Sequence, residues 1–283
     1  MDNITIILIT YKSDELINKF IKKIPSHIKT IIIENSDNYE FKKNIEKKYS
    51  NIKVYLKENN GVSSSLNYAV NLVRTDFFLQ ISPDIKFDFE NLKHFFELSK
   101  KLNNEFAAIG PIFINSKKNN HNKILTNDNF IKTNSVHGSC MFINKKCYEK
   151  IGGFDNNIFL YFEETDYCKR GIKNRYYSYQ HKNIKVESLG RSVSLDNKKF
   201  VEKLDFLTTW HFIWSKFYYY KKHYGSLFSF IYFIPILIRI IFRINLYKWI
   251  LVDRKKEIKY RYRLDGLINS IKGNSSSLRI ENL

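Results

Sequence analysis

Three carboxylates lie within four positions of one another in the segment GGFDNNIFLYFEETDYCKR, residues 152–170. They are Glu163, Glu164 and Asp166, and they directly follow an aromatic run that ought to be buried. A carboxylate held beside a substrate hydroxyl can act as a general base, because it accepts the proton that the hydroxyl loses when it attacks. The cluster is therefore a candidate for acid–base chemistry. The alternative is structural, since acidic residues in the first turn of a helix also stabilise the helix dipole.

Further polar side chains follow a series of predicted strands. Apolar β-branched runs predict strands at residues 4–10, 30–34, 52–56 and 76–81, and amphipathic segments between them predict helices at 16–24, 39–49 and 63–73. This alternation predicts an α/β fold with a Rossmann-like mixed, mainly parallel sheet flanked by helices. Ligands bind beyond the carboxyl ends of the strands in such sheets. The candidate residues at these ends are Thr10, Glu34, Asn35, Asp37, Asn60, Gly61, Ser82 and Asp84.

The second half of the predicted sheet is less regular. The pattern predicts a helix at 89–101, strands at 107–113 and 136–144, a short helix at 145–151, and two short extended segments at 175–180 and 184–189. The polar stretch SKKNNHNKILTNDN, residues 116–129, predicts a mobile loop.

Composition limits the class of protein. With 283 residues, of which 43% are hydrophobic, the chain is long enough to form one large domain with an appendage. The net charge of +19 favours polyanions or anionic lipid, although Lys-rich composition throughout the chain keeps this signal weak. Three cysteines without CxxC spacing predict neither a disulfide framework nor a zinc site, and so indicate a reducing cytoplasm. The N-terminal MDNITIILITYKSDE does not resemble a signal peptide.

The character of the chain changes near residue 200, which predicts a C-terminal helical extension over 200–283. Its segment SLFSFIYFIPILIRIIFRI, residues 226–244, is about as long as a bilayer span of roughly 20 residues. Pro235 and Arg239 lie inside it, and Arg243 lies at its edge. These residues favour a helix in the membrane interface. A buried helical hairpin and a true span are the alternatives.

Six segments together resemble a known family. They are IILITYKSDELI, IIIENSDN, ENNGVSSSLNYAV, DFFLQISPDIKF, HGSCMFINKKCYEKIGGFD and FLYFEETDYCKR. In residues, order and spacing, positions 4–191 resemble the family-2 glycosyltransferases with the A-type nucleotide-sugar fold, most closely the rhamnosyltransferase-like bacterial branch. The resemblance implies that residues 1–199 form a nucleotide-sugar-binding catalytic domain.

The resemblance also implies a metal site and a catalytic base. Asp84 aligns with the last acid of the family's metal-binding motif, although Ser82 replaces the first acid; a turn residue after Pro83 is the alternative. Glu187 in IKVESLGRSV occupies the place of a usual histidine. The implied ligand is a divalent cation, Mg²⁺ or Mn²⁺, because hard cations prefer oxygen. Glu164 occupies the position of the family's base.

Helix geometry leaves the choice of base open. If the helix begins before Glu163, then Glu163 and Asp166 share a face and Glu164 points elsewhere. If the helix begins after Glu164, the assignment from the motif stands. Asp166 also has a structural alternative, an ion pair with Arg170 four positions later.

The same resemblance implies a nucleotide pocket. It assigns base and ribose contacts to Thr10, Glu34, Asn35 and Asp37, with Glu34 in place of the usual aspartate. The segment NNGVSSSLN, residues 59–67, would line the pocket with the residues Asn60, Gly61 and Asn67. An ordinary Asn-Gly turn capping the helix is the alternative.

The implied function is an inverting, metal-dependent hexosyl- or rhamnosyltransferase of cell-envelope polysaccharide synthesis. Its partners would be a nucleoside-diphosphate sugar, a glycan or lipid-linked saccharide acceptor, and the inner face of the cytoplasmic membrane. Nucleic acid is not an expected partner, because no binding motif supports it. The alternative is a non-catalytic glycosyltransferase-like scaffold or binding subunit, suggested by the replaced family residues. The loop 115–135, where sugar specificity would lie, carries no readable code.

Overall fold

The computed structural model describes residues 3–115, 124–125, 129–190 and 198–283. The chain forms two compact units. The first is built from Met1–Asp155 and Glu163–Ser194, and the second from Asn156–Phe162 and Leu195–Leu283. The division expected from the sequence, at residue 199, did not group residues 156–162 with the C-terminal helices.

The first unit contains a sheet in the order β3-β2-β1-β4-β9-β6-β10-β8-β7, with β5 paired to β10. Strands β1 to β4 run parallel, β9 is antiparallel to β4 and β6, and β10 is parallel to β6. The carboxyl ends of β1 to β4, β6 and β10 therefore meet at one edge, which we call the strand-end edge. The mixed, mainly parallel sheet predicted from the sequence is confirmed. The strands are β1 (Ile4–Thr10), β2 (Lys29–Glu34), β3 (Ile52–Leu56), β4 (Phe77–Ile81), β5 (Ile85–Lys86), β6 (Ala108–Phe113), β7 (Ile124–Leu125), β8 (Phe130–Thr133), β9 (Cys140–Asn144) and β10 (Ser178–Ser188).

Helices cover both faces of this sheet. Along β1, Ile6 and Leu8 belong to one apolar cluster and Ile7 belongs to the other, because successive side chains of a strand point to opposite faces. Burial on both faces explains why the strands are continuously apolar. The helices are α1 (Asp14–Ile21), α2 (Tyr39–Lys48), α3 (Val62–Leu72), α4 (Leu92–Lys101), α5 (Lys145–Ile151) and α6 (Glu163–Lys173).

Three details of the predicted elements were wrong. Part of the expected loop at 116–129 is structured, because Ile124 and Leu125 form β7, which pairs with β8; residues 116–123 and 126–128 lie outside the described part of the chain. The two segments at 175–180 and 184–189 are one strand, β10, whose register with β6 shifts between His181 and Lys185. The strand expected from residue 136 begins only at Cys140.

The second unit is helical, as predicted. It comprises α7 (Lys198–Tyr224), α8 (Ser226–Asn245), a π-helical turn (Leu246–Ile250) and α9 (Arg254–Lys272). Its core brings together Phe217 of α7, Phe233 of α8 and Leu267 of α9. Gly266 permits close packing of α9 on α7, since a Cβ atom there would come within 2.6 Å of the Trp210 carbonyl oxygen. By length and composition, residues Ser226–Ile250 could cross a membrane. Within this segment, an apolar stretch of 18 residues is only 22% buried.

A buried histidine stabilises this second unit. The His211 Nδ1 atom lies 2.8 Å from Ser276 Oγ, its Nε2 atom lies 2.9 Å from the Leu278 carbonyl oxygen, and its ring stacks on Phe159. Because a carbonyl oxygen only accepts, Nε2 carries the proton and Nδ1 accepts from Ser276. Burial lowers the pKa of His211 to about 4, and the charge of Arg279 adds to this effect.

We expect acid to destabilise the second unit through His211. An exposed imidazole in the unfolded chain binds a proton below about pH 6.5, whereas folded His211 stays neutral down to about pH 4. Proton uptake therefore favours unfolding, and up to about 3 kcal/mol of the free energy of unfolding is lost between these two pH values. Thermal melts from pH 7 to pH 4 should show a steeper decline for the wild type than for His211→Gln. Parallel curves for the two proteins would contradict the assignment.

Candidate active site

Asp84 lies at the strand-end edge, in the turn that joins β4 to β5. Its side chain is 6% exposed, and its Oδ2 atom accepts a hydrogen bond of 2.7 Å from Ser188 Oγ at the end of β10. The Asp84 carbonyl oxygen accepts from the Leu189 amide at 2.9 Å. The antiparallel pairing of β5 with β10 thus fixes where this carboxylate lies.

The loop of residues 137–139 lies close to both Asp84's turn and the start of α6. The Ser82 amide donates to the Ser139 carbonyl oxygen at 2.8 Å. In the same loop, a Cβ atom added to Gly138 would lie 3.5 Å from the Cβ, Cγ and Cδ atoms of Glu164. The structure therefore brings Asp84's turn and Glu164 next to the same short loop, at the strand-end edge of the first unit.

His137 belongs to the same loop. Its ring stacks on Phe113 with centroids 4.4 Å apart, and its Nδ1 atom lies 2.7 Å from Ser139 Oγ. Phe113 ends β6, so this contact ties the loop to the neighbouring strand. Nothing in the sequence indicated that this loop lies next to both candidate acids.

The first turn of α6 distinguishes the three acids of the cluster. The helix begins at Glu163, and Asp166 faces inward with no exposed surface. Asp166 accepts from Arg170 Nε at 2.8 Å, and the same guanidinium donates to the carbonyl oxygens of Ile151 and Gly153. Asp166 therefore anchors α6 to the end of α5. The prediction of a catalytic role for Asp166 is not supported by this placement, because the carboxylate is not accessible to a substrate.

The other two acids also differ in placement. One carboxylate oxygen of Glu163, Oε2, is buried, whereas Glu164 packs along the loop at Gly138. Of the three acids, Glu164 is the one that the described structure positions against the loop at the strand-end edge.

Glu187, the second predicted metal ligand, is not brought to Asp84. Its Oε2 atom pairs with Lys86 Nζ at 2.7 Å, in the register that sets Glu187 opposite Lys86. Ser188 reaches Asp84 instead, because adjacent residues of a strand point to opposite faces. Sequence reasoning missed Ser188. It lies 104 positions from Asp84, and nothing local signals the pairing.

The donor set limits the kind of metal that would fit. In the described ranges, no group of three or more His, Cys, Asp or Glu residues could hold a metal ion. Asp84 offers one carboxylate beside the Ser188 hydroxyl. Mg²⁺ commonly binds through one or two carboxylates together with substrate phosphates. The residues present therefore fit a cation that is shared with a phosphorylated ligand.

Most of the residues predicted to contact the nucleotide are buried or bind other parts of the protein. The buried Glu34 carboxylate accepts from the Ser36 amide at 2.9 Å, from the Ser36 hydroxyl, and from the Asn38 amide at 2.8 Å. These bonds fix the loop after β2. Burial, followed by the charge of Glu34, raises the pKa of neighbouring Asp14. Asp37 remains exposed at the tip of the loop with φ of +57°.

Three more of the predicted nucleotide contacts are Thr10, Asn35 and Asn67, of which the last two bind other parts of the protein. The Thr10 hydroxyl is buried and lacks a hydrogen-bond partner within the described residues. Asn35 exchanges hydrogen bonds of 3.0 and 3.2 Å with Ser65 of α3. The Asn67 amide binds the backbone of Phe154 at 2.8 and 3.0 Å. The side chains of Asn35 and Asn67 therefore position loops, whereas no such role is seen for the Thr10 hydroxyl.

Two predicted residues remain available around α3. Asn60 is exposed, and Gly61 lies directly before the helix with φ of +93°, a conformation that suits glycine. Backbone amides at a helix N-terminus favour phosphate. Asp37, Asn60 and Gly61 are thus the predicted binding residues whose placement suits contact with a ligand.

One cavity in the first unit is formed by residues other than those of this constellation. It has a volume of about 430 Å³ and is lined by residues between α1 and β2 and by residues 87–90 and Leu92. None of the predicted site residues lines it.

Comparisons with known proteins identify related sequences and folds. A model of "Glycosyl transferase family 2" matches residues 5–180. The low-salt glycan biosynthesis hexosyltransferase Agl10 of Haloferax volcanii is 22% identical over 191 residues, which cover 60% of this chain and 62% of Agl10. The chain therefore spans less than two thirds of this relative.

Solved structures share the fold at low identity. The crystal structure of GalNAc-T7 with UDP, GalNAc and Mn²⁺ superposes with a TM-score of 0.58 and 8% identity, covering 95% of this chain and 56% of the other. Residues 1–349 of S. aureus TarS in complex with UDP-GlcNAc superpose with a TM-score of 0.53 and 11% identity, covering 96% and 92% of the two chains. These similarities concern the fold of the polypeptide.

Proposed function

The chain belongs to glycosyl transferase family 2, and we propose that it is an inverting enzyme acting on a nucleoside-diphosphate sugar. The acceptor in this proposal is a hydroxyl of a glycan or lipid-linked saccharide in cell-envelope polysaccharide synthesis. One observation carries the proposal: Asp84's turn and Glu164 both lie next to the loop of residues 137–139. Sugar transfer needs a base for the acceptor and charge neutralisation for the leaving group, and this arrangement offers both in one place.

Glu164 acts as the general base. As the acceptor oxygen attacks the anomeric carbon, Glu164 takes the hydroxyl proton and a new carbon–oxygen bond forms. The bond to the diphosphate breaks, and its electron pair leaves with the nucleoside diphosphate. Attack from the side opposite the leaving group inverts the anomeric centre. A positioned base contributes about 10²–10⁴-fold to such a rate.

In this proposal, Asp84 helps to stabilise the leaving diphosphate. A divalent cation, Mg²⁺ or Mn²⁺, bound jointly by Asp84 and the donor's phosphates would neutralise the charge that develops on the diphosphate. The hydrogen bond from Ser188 orients the carboxylate for this role. The Mn²⁺ and UDP in the GalNAc-T7 structure support this assignment by analogy of fold.

The transferred sugar is proposed to be a hexose or a deoxyhexose such as rhamnose. The similarity to a hexosyltransferase and the UDP-GlcNAc bound to TarS support a nucleotide-linked hexose donor. Asp37, Asn60 and Gly61 would contact its nucleotide. We propose that the enzyme works at the inner face of the cytoplasmic membrane, where lipid-linked acceptors are available.

A donor screen tests this function. We expect one member of a panel of UDP-, dTDP- and GDP-sugars to raise the melting temperature in the presence of Mn²⁺ or Mg²⁺. Binding to the folded state at 100 times Kd stabilises a protein by about 2.7 kcal/mol, which amounts to several degrees. Free hexoses at the same concentration are the control and should give no shift. Equal shifts with free sugars, or none with any nucleotide sugar, would contradict the proposal.

Donor hydrolysis separates the proposed enzyme from the alternative of a non-catalytic subunit. The inward-facing Glu34 and the engagement of Glu187 by Lys86 are the observations that favour it. Such a subunit would bind a nucleotide sugar without hydrolysing or transferring it. Slow donor hydrolysis with a divalent cation, lost in Glu164→Gln, would identify an enzyme.

A further inference from the structure

Helix α8 is apolar on two opposite sides. One stripe, which includes Phe233, Ile240 and Ile244, is buried in the core of the second unit, between α7 and α9. The opposite stripe repeats at intervals of three and four residues and faces outward. Its members and their exposed fractions are Leu227 at 77%, Ile231 at 60%, Ile234 at 49%, Ile238 at 63% and Phe242 at 61%.

The turn after α8 extends this apolar surface. Four consecutive residues, Trp249, Ile250, Leu251 and Val252, are exposed by 69%, 71%, 56% and 77%. We call the outward stripe of α8 together with residues 249–252 the apolar face. Contiguous apolar surface of this extent is uncommon on a soluble monomer and marks an interaction site.

Cations accompany the apolar face. Arg239 is exposed on α8, and Lys248 lies in the turn with its Nζ atom 4.3 Å from the centre of the Trp249 ring. Arg254, Lys255 and Lys256 follow the turn and are exposed, and each also pairs with an acidic residue, namely Glu257, Glu202 and Asp253. From residue 226 to residue 252 the sequence contains no Asp or Glu. A partner of complementary chemistry is therefore apolar inside and negatively charged at its surface.

We propose that the apolar face is a docking surface for a bilayer that contains anionic lipid. The stripe of α8 lies in the plane of the interface and contacts the acyl chains, while Arg239, Lys248 and the cations at the start of α9 contact the phosphate head groups. Trp249 occupies the level at which aromatic side chains concentrate in membrane interfaces. The inference rests on the proposed function in one respect: a membrane-bound enzyme suits a lipid-linked acceptor.

The packing of α8 argues against a transmembrane orientation. Nine of the nineteen residues of α9 are charged, and α9 packs against α8 through the cluster that contains Leu267. Insertion of α8 across the bilayer would carry this charged helix into the hydrocarbon, at a high cost in free energy.

Charge argues against a second copy as the occupant. In a symmetric dimer the same patch meets itself. Arg239 and Lys248 would then approach their own counterparts across a face that contains no acidic residue between positions 226 and 252. An anionic lipid surface presents the opposite charge to the same residues.

Vesicle sedimentation of the full-length protein tests the proposal. We expect binding to vesicles of phosphatidylcholine with 30% phosphatidylglycerol, severalfold weaker binding to phosphatidylcholine alone, and weakening by salt. The double variant Ile231→Asp/Ile238→Asp should bind at least tenfold more weakly, because two apolar side chains lose acyl contact and gain negative charge. Tyr39→Asp is the matched control, since Tyr39 is a 68% exposed apolar residue on α2 of the first unit.

Three results would overturn the proposal. They are equal vesicle binding by the wild type and the double variant, a wild-type dimer in light scattering that fails to bind vesicles, and resistance of the membrane-bound protein to alkaline extraction, which indicates a span. Donor-induced thermal stabilisation of the double variant serves as a folding check. The same measurement on the wild type separates the two proposals, because a wild type that binds the donor but not the vesicles contradicts only the docking surface.

Discussion

Glu164→Gln should lower the rate of sugar transfer by about 10²–10⁴-fold while leaving the affinity for the nucleotide sugar close to that of the wild type. The amide keeps the size of the side chain beside Gly138, but it cannot accept the acceptor's proton. The loss should therefore appear in kcat. Initial-rate kinetics with saturating donor, together with a thermal-shift titration of the donor, measure the two effects separately.

Glu163→Gln is the matched control, because it makes the same chemical change one residue earlier on the same helix. We expect it to reduce kcat far less than Glu164→Gln, since Glu163 has a buried carboxylate oxygen and Glu164 packs on the loop. An equal or larger loss in Glu163→Gln would reassign the base to Glu163. Full activity in both variants would exclude both residues as the base, whereas the absence of transfer by the wild type would favour the non-catalytic alternative.

The alternating strands and helices of the first unit were predictable because local chemistry determines them. The strand Ile4–Thr10 and the helix Lys145–Ile151 have the bounds that the sequence predicts. A β-branched run buried on both faces marks the first. For the second, Asn144 accepts from the Cys147 amide at the start, and Gly152 ends the helix in a left-handed conformation.

Non-local pairing was not predictable from the same patterns. Strand β10 was expected as two segments, because its shift of register between His181 and Lys185 interrupts the local pattern of a single strand. The contact of Ser188 with Asp84 depends on the pairing of β10 with β5. No local propensity encodes a partner more than a hundred residues away, so Ser188 was missed.

The direction in which a polar side chain points was the second feature that the sequence could not predict. The sequence located Glu34, Asn35 and Asn67 near the ends of the strands or in the following helix, but residue type does not say whether the side chain faces a ligand or a neighbouring loop. In the structure their hydrogen-bonding atoms bind nearby backbone and side chains. Buried polar groups need such partners, and loops at a functional edge need fixing. Positioning of the loops is therefore part of how these residues serve a site.

Asp84→Asn should reduce sugar transfer by about 100-fold or more and weaken donor binding that depends on a divalent cation. Asparagine keeps an oxygen that can accept from Ser188 Oγ, so the turn between β4 and β5 should retain its shape. What the substitution removes is the negative charge, and a hard cation loses its protein carboxylate ligand. Donor binding measured calorimetrically across a Mn²⁺ titration should shift to higher metal concentration in the variant.

Glu187→Gln is the control that makes this prediction specific. Both carboxylates lie at the meeting of β5 and β10, but Glu187 pairs with Lys86 and Ser188 binds Asp84. Loss of an exposed ion pair costs at most about 1 kcal/mol of stability and should leave the metal titration unchanged. A shift in Glu187→Gln as large as that in Asp84→Asn would restore Glu187 as a metal ligand, and would mean that the Lys86 pair opens when the donor binds.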